Sequence, residues 1–91
     1  MSATDRFSNY LETAKSTGSL GDLNKARAAA KGIKDPETRY KAFLEILDFT
    51  EDPNDFQLAS EVVMSTSEFW ADIAAGELDQ VVNWLREKGK W

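Results

Sequence analysis

Apolar residues recur along this chain at helical spacing, in clusters separated by short polar stretches. The first cluster is Phe7, Tyr10, Leu11 and Ala14, and the second is Leu23, Ala26, Ala30 and Ile33. Tyr40, Phe43, Leu44 and Leu47 form a third, and Phe56, Ala59, Val62 and Val63 a fourth. A fifth holds Phe69, Trp70, Ile73 and Ala74; a sixth, after Gly76, holds Leu78, Val81, Val82 and Leu85 before Gly89. Separations of three and four place each cluster on one face of a helix, and no strand pattern is present. The expected fold is all-α, with five to six helices. Ile46, Phe49 and Leu58 fall outside the main faces, so the middle helices are expected to meet neighbours on two sides.

Helix-start signals fall in step with these clusters. Ser2-Ala3-Thr4-Asp5, Ser19-Leu20-Gly21-Asp22, Asp52-Pro53-Asn54-Asp55 and Ser65-Thr66-Ser67-Glu68 each put a capping side chain before an acid. The cap oxygen accepts a free amide of the first turn, and the acid suits the positive end of the helix dipole. Asp35-Pro36-Glu37 adds a fifth start, with proline at the first helical position. Short connections at Gly18–Gly21 and Asp52-Pro53 imply antiparallel neighbours.

The chain half repeats itself at a spacing of 33 residues. Arg6, Leu11, Glu12, Thr17, Asp22 and Ala26 fall on Arg39, Leu44, Glu45, Thr50, Asp55 and Ala59, and Phe7, Tyr10, Leu23 and Ala30 fall on apolar partners. The caps Ser2 and Asp35, and Ser19 and Asp52, keep the same spacing, whereas Asp35 to Ser65 is 30, a shortened third copy. A period near 33 without strands is the signature of stacked two-helix units. The expected organisation is one domain over 1–91, with units of about 2–33, 35–64 and 65–88 forming either a short solenoid-like hairpin repeat or a compact bundle. Small residues against large ones (Ala26 with Tyr40, Ala59 with Trp70) complete a build that resembles tetratricopeptide-like helical-hairpin repeats over residues 2–75. That family's Trp-x-x-Leu-Gly opening is missing, and Pro36 and Pro53 open helices rather than close them. The resemblance implies protein or peptide binding on a concave surface.

Composition narrows the chemistry. The chain has 91 residues, 42% of them apolar, with no cysteine and no histidine. Disulfides, thiolate nucleophiles, the commonest general base and the commonest metal ligand are thereby absent. No apolar run approaches the ~20 residues of a membrane span, and no secretory leader is visible, so a cytoplasmic address is expected. Asp48, Thr50, Asp52 and Asn54 alternate like the first ligands of a calcium loop, but Pro53 and Ala59 stand where that loop needs glycine and glutamate. Acid pairs such as Glu45 and Asp48 would need burial for acid–base catalysis, and they are expected on an exposed face. The expectation is a non-enzyme with no metal and no cofactor.

Charge is distributed unevenly. From Ala42 to Leu85 there are ten acids and no base, whereas residues 1–41 hold eight bases against five acids; the net charge is −5. Asp52, Asp55, Glu68 and Glu77 already have capping or dipole roles. Glu45, Asp48, Glu51 and Asp55 are nevertheless candidate contacts for a basic partner. Trp84 and Trp91 are candidate anchors, since tryptophan is enriched at binding hot spots, while docking on its own domain is the alternative for Trp91. The basic group Lys25, Arg27, Lys31, Lys34, Arg39 and Lys41 lacks a recognition motif, so nucleic acid is disfavoured. Three functions remain in view: a protein-interaction module, an acidic inhibitor of immunity type that binds a basic enzyme, and a self-associating structural protein.

Overall fold

The computed structural model describes residues 2–89 and 91. Among these, five helices account for the ordered backbone: α1 (Ala3–Thr17), α2 (Leu20–Lys31), α3 (Pro36–Thr50), α4 (Pro53–Met64) and α5 (Phe69–Glu87). Adding 33 to both ends of α1 gives α3, and adding 33 to both ends of α2 gives α4. The repeat seen in the sequence is therefore a repeat of hairpins, kept to the residue.

Caps explain that regularity. Ser2, Ser19, Asp35 and Asp52 each sit in extended backbone and accept an amide of the first turn, from Asp5, Asp22, Thr38 and Asn54 respectively. Pro36 and Pro53 occupy first-turn positions, where a missing N–H breaks no bond. The Asp35 carboxylate takes both the Thr38 amide and the Thr38 hydroxyl, and these bonds lower its pKa.

The third unit departs from expectation in two ways. Ser65 does not start a helix; it ends α4, and its hydroxyl donates to the Val62 carbonyl at 2.8 Å. The N-cap is Glu68, so the starts at Ser2, Asp35 and Glu68 are spaced by 33 and 33, and the third copy is not shortened. Secondly, Gly76 does not divide two helices. It lies inside one continuous helix of 19 residues. A helical glycine costs about 1 kcal/mol, too little to break a helix that buries Ala71 and Ala74 on one side of it and Leu78 and Leu85 on the other.

The face of α5 also differs from the expected one. Phe69 is 80% exposed and Ile73 57%, although Ile73 holds the repeat position of buried Phe7 and Tyr40. The third copy thus keeps the start of the pattern but turns a different side inward.

Hairpins α1–α2 and α3–α4 are the tightest pairings, α2 and α1 lean on α3, and α5 lies on α4. The slab they form spans 32 × 31 × 14 Å, about two helices thick. Its core runs through Phe7, Leu11, Ala26, Ala30, Phe43, Ile46, Ala59, Ala74 and Leu78. Ile46 is fully buried beside Ala42, so α3 does bury two sides; Phe49 stays exposed. No helix among the described residues is long and apolar enough to cross a membrane.

Candidate functional site

The six residues singled out from the sequence separate into two groups. Asp55, Glu51 and Trp91 gather around the α3–α4 turn, and all three are occupied by the protein itself. Asp55 is not a surface acid. It is 0% exposed, takes Arg27 Nε at 2.8 Å and Nη2 at 2.7 Å, and accepts the Thr50 hydroxyl at 2.6 Å. The two-pronged pairing raises the Arg27 pKa further, chiefly through the hydrogen bond to Asp55. Removing Arg27 would strand the Asp55 carboxylate away from water, which costs about 3–5 kcal/mol. Asp55 is thereby withdrawn from the candidate contacts.

Glu51 ends α3 in the left-handed region, at φ 54° and ψ 31°. The equivalent residue of the first hairpin is Gly18, at φ 68° and ψ 13°. An ordinary side chain there costs roughly 1–2 kcal/mol, and this one has a task. Its carboxylate takes Lys88 Nζ at 3.0 Å, while its carbonyl accepts Trp91 Nε1 at 3.1 Å. The Trp91 ring meets Phe56 edge-on, 5.1 Å between centroids. The second of the two expectations for Trp91, docking on its own domain, is the one the structure bears out. Glu51 and Trp91 fasten the C-terminal segment.

Glu45, Asp48 and Trp84 do come together. They line one open groove of about 370 Å³ with Leu44, Leu47 and Val81. Two helices supply its walls. Tyr40 of α3 lies against Trp70 of α5, 5.8 Å between centroids, and its hydroxyl reaches the Ala74 carbonyl at 3.3 Å and Glu77 at 3.2 Å. Burial, and then the Glu77 charge, raise the Tyr40 pKa, so this contact keeps its proton. Further along both helices, Leu44 to Asp48 faces Val81 and Trp84 across the groove. Rising numbers on one wall match rising numbers on the other, so α3 and α5 run in the same direction.

The floor is apolar and the rim is acidic. Leu47 is buried, Leu44 and Val81 are half-buried, and Trp84 is 40% exposed. Glu45 and Asp48 are exposed, cap no helix and form no ion pair among the described residues. Asp48 lies in the last turn of α3, where the helix dipole disfavours an anion. In α1 the same repeat position is Lys15, the sign the dipole prefers. Nothing in the folding of α3 asks for Asp48. Lys88 Nζ rests 3.9 Å from the Trp84 ring centroid, which shows a cation accepted on that indole.

Sequence reasoning missed the Arg27–Asp55 pair, because Arg27 was grouped with its basic neighbours and Asp55 with the caps. A signal was available. Thr17 and Asp22 repeat as Thr50 and Asp55, and in both hairpins the threonine hydroxyl donates to the aspartate, at 3.1 Å and 2.6 Å. No family model, no curated protein and no solved structure matches this chain.

Proposed function

We propose that this protein is a non-catalytic protein-interaction module whose contact site is the groove between α3 and α5. One observation carries the reading. A concave apolar floor of Leu44, Leu47, Val81 and Trp84 is rimmed by Glu45 and Asp48, two acids that the fold does not use. Hydrophobic burial supplies affinity at such a site, and unpaired rim charges supply choice of partner and speed of encounter. The 33-residue spacing of the hairpins supports the resemblance to tetratricopeptide-like repeats, which implies peptide binding. A narrower reading, an acidic inhibitor that covers a basic enzyme, draws on the same rim. Affinity that falls steeply with salt would favour it.

The test is selection from a random 16-residue peptide library on immobilised protein. Enriched peptides that bind the native chain and lose at least tenfold against Trp84→Ala would support the reading. Enriched peptides indifferent to Trp84→Ala, or no enrichment, would sink it.

A further inference from the structure

We infer that the occupant of this groove is an amphipathic helix of a partner protein, apolar on the face it buries and bearing lysine or arginine beside that face. The inference rests on the reading above and adds the chemistry of the partner. Three observations support it.

The first is shape. The groove lies between two helices that run in the same direction, and its apolar floor is contributed by neighbouring turns of each. Described residues include no strand, so there is no sheet edge for an extended peptide to join. A third helix laid between two others, with anchors three and four residues apart, is a recurring way of filling such a trough.

The second is charge. Glu45 and Asp48 are spaced i, i+3 on α3, so they form one exposed face of a single turn. The segment from Ala42 to Leu85 holds no base to answer them. Asp48 also stands where its own helix favours a cation, as Lys15 shows at the equivalent position of α1. A residue kept against local preference and left without an internal partner is accounted for by an external one of opposite sign.

The third is an internal precedent. Lys88 places its ammonium over Trp84 while Glu51 holds it at 3.0 Å. The fold therefore already seats a cation between an indole and a carboxylate at this end of the groove. A lysine or arginine from the partner would meet the Glu45 and Asp48 carboxylates in the groove that Trp84 also lines.

The experiment uses two labelled probes, 14-residue alanine-based helical peptides with the same leucine stripe. One is flanked by lysines and the other by glutamates. Binding is read by fluorescence polarisation, and the location by backbone amide shifts. The lysine peptide is expected to shift Leu44, Leu47, Val81 and Trp84 and to bind at least tenfold more tightly than the glutamate peptide. Asp48→Lys should weaken it at least tenfold, and Glu12→Lys, the same charge change at the α1 position equivalent to Glu45, less than twofold. Equal binding of the two peptides in the groove would overturn the basic partner and leave the groove as a binding site. Equal losses for Asp48→Lys and Glu12→Lys would overturn it too, since the attraction would then be diffuse. If neither helix binds while Trp84-dependent library peptides do, the helical occupant is wrong and the module reading stands. If neither helices nor library peptides bind, both fall.

Discussion

The two hairpins are the same structure built for different neighbours. Helix ends, caps and the threonine–aspartate bond at the turn agree at a spacing of 33 residues. The differences lie in what surrounds them. Ala42, Phe43 and Ile46 are buried in the second hairpin, and their equivalents in the first are Asn9, Tyr10 and Thr13, all exposed. Lys25 likewise replaces Leu58. The first hairpin carries a polar outer side, as the end of a stack must; the second is packed from both sides. Wherever a position is exposed in both hairpins, packing no longer explains a change of residue. Lys15 against Asp48 is such a position, and it falls on the groove.

The largest expected effect contrasts the two aspartates of the turns. Asp55→Ala should destabilise the protein by about 1.5–3 kcal/mol, because Arg27 and the Thr50 hydroxyl lose their charged acceptor and Arg27 keeps only Asn24 and the longer contact to Asp52 at 3.8 Å. Asp22→Ala, at the partly exposed equivalent position, should cost under about 1 kcal/mol. Urea denaturation of both variants measures the ratio, and equal losses would dissolve the contrast.

The left-handed caps come next. Gly18→Ala should destabilise by about 1 kcal/mol, because a side chain is introduced at positive φ. Glu51→Gly relieves the same strain and loses the Lys88 pair, worth at most ~1 kcal/mol at a partly exposed site. Its net effect should lie within about 1 kcal/mol of zero. Thermal melts would show a marked loss for the first variant and little change for the second.

Exchanging the dipole residues gives a smaller effect with a useful sign. Asp48→Lys should stabilise by about 0.3–1 kcal/mol while weakening binding in the groove. Lys15→Asp should destabilise by a similar amount and leave binding alone. A variant gaining stability as it loses function would be the clearest mark of an acid kept for a partner.

The smallest effect concerns the caps of α1 and α3. Asp35 has a folded pKa below its ordinary 3.8, owing first to the Thr38 hydroxyl and then to the Thr38 amide. Its contribution is present above the unfolded value and is lost as pH falls through the folded one. Ser2 caps α1 with a hydroxyl, which does not titrate in that range. Protection of the Thr38 amide from hydrogen exchange should decline on acidification relative to that of Asp5. Parallel behaviour of the two amides would refute the assignment.

What the sequence determined by itself was local. Apolar spacing and capping boxes act within a turn or two of the backbone, so helix starts, helix type and the hairpin register were legible from Ser2, Ser19, Asp35 and Asp52 alone. Gly76 and Ser65 were misread because a glycine or a cap changes the backbone by only about 1 kcal/mol, less than the burial of Ala74 and Leu78 supplies. The site was half legible. Glu45, Asp48 and Trp84 could be named, but not their meeting, since that depends on α5 lying beside α3 with one particular side inward. Asp55 shows the same limit from the other direction, for it reads as a surface acid until Arg27, 28 residues earlier in the chain, closes over it. Whether a charge faces water or a partner inside the fold is set by which helices touch, and that follows from packing between distant segments, to which no short-range pattern gives access.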